Sequence, residues 1–256
     1  MADSEELVKK QFGTHARAYV SSQVHAHGES LARLVELTKP QRAWLVLDVS
    51  TGAGHTALAF APRVARVMAT DLTPEMLEAA RALAGRRGAT NLEFKVADAQ
   101  ALPFDDSMFD LVTNRIALHH YPEARKAVGE MARVCRRGGL VALVDNVVPP
   151  EEATSAYINQ FEKLRDASHH AAHPVKTLER CFATARLKVE HLECLKKEMT
   201  FEPWADRMGA DEPTKAELRR MLREAPPAVR GFLSPRTDGD DLYFTLTEAI
   251  LIGRKE

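Results

Sequence analysis

The sequence predicts an open α/β sheet of mostly parallel strands with helices on both faces, and three observations carry the prediction. Residues 44–72 read as an apolar run, a glycine turn, a helix-forming stretch and a second apolar run. Apolar runs and helix-forming stretches then alternate as far as residue 146, the pattern of repeated βαβ units. Three successive runs end in an acid: Asp48, Asp71 and Asp98. Sheets of this class take ligands beyond the carboxyl ends of their strands, so all three acids stand at the ligand-binding edge.

The first strand, Trp44-Leu45-Val46-Leu47-Asp48, runs into Ser50-Thr51-Gly52-Ala53-Gly54. Taken literally, Gly52-Ala53-Gly54-His55-Thr56-Ala57 matches the G-x-G-x-x-G/A dinucleotide fingerprint, with Asp71 lying 19 residues beyond Gly52. A pyrophosphate favours the positive end of the helix that follows such a turn. Asp48, leading straight into the turn, favours a cationic group instead, such as the ammonium of an amino-acid-like ligand. S-adenosylmethionine has that ammonium, a ribose for Asp71, and no phosphate. The plainer alternative is a tight turn in which Asp48 caps the helix.

Before the sheet, residues 5–38 read as two helices, with Leu31, Leu34, Val35 and Leu37 at helical spacing and Pro40 at the end. Between them lies Phe12-Gly13-Thr14-His15-Ala16-Arg17-Ala18-Tyr19, where Tyr19 is either a packing residue or an aromatic cover for a sulfonium cofactor. After Asp71-Leu72, Thr73-Pro74-Glu75 signals a helix start with a capping threonine. Met76, one turn in, is either core or a platform for an adenine ring. The third strand, Leu92-Glu93-Phe94-Lys95-Val96, ends at Asp98-Ala99, and the fourth, Phe109-Asp110-Leu111-Val112-Thr113, leads into Asn114-Arg115 and then His119-His120-Tyr121. Pro122 opens a helix reaching Arg137, and Gly138-Gly139 releases a fifth strand at Leu140 that ends in Asp145-Asn146.

The alternation breaks at Pro149-Pro150. Residues 151–166 and 174–185 read as helices, 187–201 as a long strand and 242–252 as the last one. The forty residues at 202–241 are too many for a hairpin loop and read as a helical insertion or lid. The predicted organisation is an N-terminal helical lid segment (1–40), a cofactor-binding core (41–148), and an insertion with the last two strands of the same domain (149–256).

Composition bounds the function. The chain has 256 residues, 45% hydrophobic and 28% charged, with a formal net charge of −1. That argues against nucleic acid, whose capture needs a strongly basic face. Cys135, Cys181 and Cys194 fit neither a disulfide framework nor a zinc site, and no metal is expected. With no signal peptide or membrane span in the sequence, the expectation is a cytoplasmic monomer or homodimer acting on a small molecule.

His119 and His120 follow the fourth strand, and His169, His170 and His173 lie in the insertion. Adjacent histidines diverge, which disfavours shared metal ligation. As general base, His119 or His120 is well placed to take a proton from a methyl acceptor, with His120 preferred and activity rising through an apparent pKa of about 6 to 7. Arg115 and Arg165 are candidates to pair with an acidic substrate or the cofactor carboxylate.

These residues resemble the class I S-adenosylmethionine-dependent methyltransferases, in the broad group near the ubiquinone/menaquinone biosynthesis enzymes. The resemblance spans roughly residues 12–148. Its carriers are Leu47-Asp48-Val49-Ser50-Thr51-Gly52-Ala53-Gly54, Thr70-Asp71-Leu72-Thr73-Pro74-Glu75-Met76-Leu77 and Ala97-Asp98-Ala99-Gln100-Ala101-Leu102-Pro103-Phe104. Phe109-Asp110-Leu111-Val112, Ala117-Leu118-His119-His120 and Arg136-Arg137-Gly138-Gly139 match the later signatures. The resemblance implies a seven-stranded Rossmann-like sheet with an antiparallel last strand. It implies Asp48 and Gly52 near the methionine moiety, Asp71 on the ribose and Asp98-Ala99 at the adenine. Ser50 stands where the family has its first glycine, which a negative φ would accommodate. The His119-His120 pair departs from the quinone-pathway enzymes. The expected reaction is methyl transfer to an O, N or C atom of a small molecule. An NAD-dependent reductase or a non-catalytic cofactor-binding module are the alternatives.

Overall fold

The computed structural model describes residues 6–9, 11–12 and 28–256. Tyr19 lies outside the described residues. The helices are α1 (Glu29–Thr38), α2 (His55–Phe60), α3 (Pro74–Arg86), α4 (Ala124–Val134), α5 (Glu152–Arg165), α6 (Val175–Thr184), α7 (Phe201–Asp206), α8 (Glu212–Arg223) and α9 (Pro227–Leu233). The strands are β1 (Leu45–Val49), β2 (Arg66–Asp71), β3 (Leu92–Val96), β4 (Phe109–Arg115), β5 (Cys135–Asn146), β6 (Leu187–Thr200), β7 (Arg236–Asp238) and β8 (Asp241–Lys255).

One sheet runs β3-β2-β1-β4-β5-β8-β6, and β7 adds to the end of β8. The pairs from β3 to β5 are parallel, whereas β8 is antiparallel to both β5 and β6. This is the predicted α/β architecture with an antiparallel last strand. The strand order reverses between β1 and β4, and at such a switch point a crevice opens beyond the carboxyl ends. The central strands are buried on both faces. Leu47, Val112, Val141 and Leu251 pack towards α4 and α6, while Val46, Leu111, Ala142 and Ile250 pack towards α1 and α2.

Local departures from the sequence reading have physical reasons. The helix expected from Pro122 to Arg137 is confined to α4, and β5 begins at Cys135. Gly138 and Gly139 therefore lie inside β5, where the β4 pairing shifts register between Phe109 and Leu111 and Gly138 takes a φ of 72°. Thr73 sits at the N-cap of α3 but makes no side-chain cap bond to the helix. The insertion between β6 and β8 carries α7, α8, α9 and the three-residue β7. Its core contains an aromatic cluster: Trp204 stacks on Phe161 at 4.9 Å and meets Phe244 edge-on at 4.9 Å, which ties α7 to α5 and β8. Among the described residues no helix is long and apolar enough to cross a membrane.

Candidate functional site

The glycine turn between β1 and α2 is built on two carboxylates with different duties. Asp48 faces Thr113 across the β1–β4 pairing and is 1% exposed. Its Oδ1 accepts from Thr113 Oγ1 at 2.8 Å, and its Oδ2 accepts from Thr51 Oγ1 at 2.6 Å and from the Ala57 amide at 3.1 Å. Burial pushes its carboxyl above the ordinary range. Asp48 thus braces the turn from beneath and does not line the cleft above it, which corrects the expectation that it meets a ligand ammonium.

Asp71 is the carboxylate that reaches the cleft. Its Oδ2 accepts from the Gly52 amide at 2.8 Å and its Oδ1 from the Thr73 amide at 3.0 Å. Burial raises it to about 6 despite those two backbone bonds. Gly52 (φ 54°) and Gly54 (φ 86°) take the left-handed conformation that the turn needs. A Cβ on Gly54 would stand 3.0 Å from the Ala80 side chain, so Gly54 serves the packing of α2 against α3 and not the cleft wall.

Ser50 corrects the sequence reading in a second way, since its φ is +52°. A left-handed non-glycine residue costs about 1 kcal/mol or more. A hydrogen bond offsets part of this, for Ser50 Oγ lies 2.6 Å from Tyr121 Oη, which also accepts from Asn114 Nδ2 at 2.8 Å. Asn114 is wholly buried, spends the same amide on the Val49 carbonyl at 3.0 Å, and supports the wall from behind. Ile116, the next turn of chain, holds a φ of +55°. A β-branched residue there is a true outlier, and such strain gathers at functional sites.

The resulting cleft encloses about 920 Å³ counted to its open mouth. Of the expected residues, Ser50, Thr51, Gly52, Asp71, Leu72, Met76, Asp98, Ala99, Arg115 and His120 line it. Asp48, Gly54, Asn114 and His119 do not. Residues unforeseen in the sequence also line it, among them Thr56, Gln100, Ile116 and Tyr121. The guanidinium of Arg115 is buried, with Nε donating to Thr56 Oγ1 at 3.1 Å.

A second cavity of about 500 Å³ abuts the first, sharing Phe12, Ile116 and His120 with it. His119, Asn146 and Arg165 are on its wall. His119 Nδ1 lies 2.6 Å from Asp145 Oδ1, and its amide donates to Asp145 Oδ2 at 2.9 Å. His120 Nδ1 lies 3.1 Å from the Ser168 carbonyl. A carbonyl only accepts, so that nitrogen carries the proton and Nε2 keeps its lone pair. The loop carrying His169 and His170 is tied to this point, since the His170 and Ala171 amides both donate to the His119 carbonyl at 2.9 Å. The His169 ring stands 5.3 Å from His119, and its Nε2 lies 2.8 Å from Asn159 Oδ1. Among the described residues no His, Cys, Asp and Glu group has the geometry to hold a metal ion.

Residues 47–143 match the methyltransferase domain family. The chain is 31% identical over 246 residues to the uncharacterized methyltransferase YcgJ of Bacillus subtilis (strain 168), a span that covers 95% of this chain and 97% of that relative. The solved structure of BH2331 from Bacillus halodurans C-125 superposes with a TM-score of 0.85 at 36% identity, over 89% of this chain and 99% of the other. A geranyl diphosphate C-methyltransferase from Streptomyces coelicolor A3(2), solved with S-adenosyl-L-homocysteine, shares the fold at 13% identity, with a TM-score of 0.62 over 89% of this chain and 78% of the other. The fold is that of the class I methyltransferases. This chain belongs to the methyltransferase family.

Proposed function

We propose that the protein moves the methyl group of S-adenosylmethionine to an O, N or C atom of a small-molecule acceptor. The observation that carries this reading is the bond from the Gly52 amide to Asp71 Oδ2. In a dinucleotide site the turn's amides serve the pyrophosphate. Here a carboxylate already occupies one of them, so the turn suits a phosphate-free nucleoside and disfavours the NAD-dependent alternative.

The residues present fit the cofactor. Asp71 would take the ribose hydroxyls, Met76, Leu72, Asp98 and Ala99 the adenine, and Thr51, Gly52 and Arg115 the amino-acid end. The bound sulfonium supplies an electrophilic methyl group. What the chain's residues contribute is orientation, exclusion of water and a place for a proton. His120 stands on the wall common to both cavities, and its Nε2 accepts the acceptor's proton. His119, fixed by Asp145, orients the acceptor from the second cavity. From the insertion, Trp204 on α7 and Arg207 just beyond it wall that cavity. A proton acceptor at this junction disfavours a silent binding module.

Thermal melting tests the reading. S-adenosylhomocysteine should raise the melting temperature in proportion to the logarithm of its concentration. NADH should not, and stabilisation by NADH alone would refute the assignment.

A further inference from the structure

The second cavity carries a chemical signature of its own. Of the four formally charged side chains on its wall, Arg165, Lys197 and Arg207 are cationic and Asp166 alone is anionic. Asp166 is already engaged, its Oδ1 accepting from the Ser168 amide at 2.9 Å and from Ser168 Oγ at 2.5 Å. Lys197 pairs with Glu248 at 2.5 Å, and Arg165 with Glu162 at 3.1 Å. Burial lowers the Lys197 ammonium, and although Glu248 opposes this, Arg115 and Arg207 press it down further. Glu248 and Glu162 offset two of these charges, so what the wall offers an anion is a dense set of cationic N–H donors and not a net positive charge.

Hydrogen-bond accounting gives an independent indication. Native proteins rarely leave buried polar atoms without partners. Three such atoms belong to residues of this wall: Arg165 Nε, Trp204 Nε1 and Asn146 Oδ1. Two are donors and one is an acceptor. Trp204 is 1% exposed, so water does not compensate at its surface. Unpartnered donors thus outnumber unpartnered acceptors among the residues of this wall, which suits a carboxylate, a group that only accepts, beside a hydroxyl or amine that can donate. Phe12, Ile116, Met199 and Leu246 complete an apolar wall.

Resting on the methyltransferase reading, we propose that the acceptor is a small carboxylic acid with a compact apolar body and a hydroxyl or amine as its methyl-accepting group. The carboxylate lies among Arg165, Lys197, Arg207 and Trp204 Nε1, and the accepting group points to His120. For a hydroxyl, the oxygen gains the methyl carbon as its proton passes to His120 Nε2, and the C–S electron pair returns to sulfur.

The test is calorimetry on protein first saturated with S-adenosylhomocysteine, using 3-hydroxybenzoate, 3-hydroxybenzyl alcohol and 3-hydroxybenzylamine as matched probes. The acid should bind at least tenfold more tightly than the alcohol, and the amine more weakly than either. Arg207→Gln should cost about tenfold for the acid and nothing for the alcohol, while Arg207→Lys restores most of the loss. The proposal is overturned if the alcohol or amine binds as well as the acid, if Arg207→Gln is without effect, or if no probe binds a protein that holds S-adenosylhomocysteine. Failure to hold S-adenosylhomocysteine would instead remove the methyltransferase reading beneath it.

Discussion

Asp145 grips His119 twice, through the backbone amide at 2.9 Å and the ring Nδ1 at 2.6 Å. Burial alone would lower the His119 pKa, and the Asp145 carboxylate, with smaller help from Glu162 and Asp166, more than reverses this, so His119 titrates above its ordinary value. Burial would raise Asp145, and His119 holds it below the usual carboxylate range. The pair's contribution to stability from His119 is complete below the unfolded value of about 6.5 and fades as pH rises through the higher folded value. The contribution from Asp145 is present above the unfolded value of about 3.9 and fades as pH falls through the lower folded one. Asp145→Asn should therefore lower the melting temperature most between about pH 5 and 6.5, with the gap to wild type narrowing at higher pH. A gap that stays constant from pH 5 to 9 contradicts the pairing.

His120 behaves oppositely. Burial, then the neighbouring His119 charge, push it down to about 4. Turnover should therefore be nearly flat above about pH 6, in place of the rise through 6 to 7 read from the unperturbed value. His120→Gln should cut turnover by about a hundredfold with cofactor affinity little changed. Stopped-time methyl-transfer assays across pH check both. A rise in turnover through a pKa above 7 would transfer the base role to His119.

Asp48 gives a stability prediction in place of a binding one. Removing its carboxylate leaves two buried hydroxyls and the Ala57 amide short of an acceptor. Asp48→Ala should cost about 3 kcal/mol of unfolding free energy by urea titration. An unaltered urea midpoint would mean that the turn does not depend on this brace.

At Ser50 two effects nearly cancel. Glycine would relieve the left-handed backbone and lose the bond to Tyr121, so Ser50→Gly should change stability by less than about 1 kcal/mol. Tyr121→Phe relieves nothing and leaves Asn114 Nδ2 one acceptor short, so it should cost about 1 to 2 kcal/mol. A larger loss in the glycine variant would show that the Ser50 hydroxyl outweighs the strain.

Much of this was legible because strand ends announce themselves. The runs ending in Asp48, Asp71 and Asp98 placed the sheet and its ligand edge, and the break at Pro149 marked the insertion. What a strand-end acid does was not legible, because residues next to one another on a strand face opposite ways and the register with β4 decides what each one meets. That register sets Asp48 against Thr113 and makes it a brace. The pairing of His119 with Asp145 depends on β4 lying beside β5, which the separation of 26 residues does not disclose. Tyr121 stood in plain view after His119-His120, but its bond to Ser50 exists only because the glycine turn folds back over it. The β7 strand is three residues long and pairs only with the end of β8, too short to leave a periodic signal.

The central claim is that Asp71 holds a phosphate-free nucleoside cofactor at the Gly52 turn. Isothermal titration of S-adenosylhomocysteine into wild type, Asp71→Asn and Asp71→Ala, with folding checked by circular dichroism, tests it most directly. Wild type should bind one equivalent, and the alanine variant should lose about 1.5–3 kcal/mol of binding free energy, the usual cost of charge-assisted hydrogen bonds, with the asparagine variant between them. Equal affinity in all three folded proteins, or no binding by wild type, would contradict it.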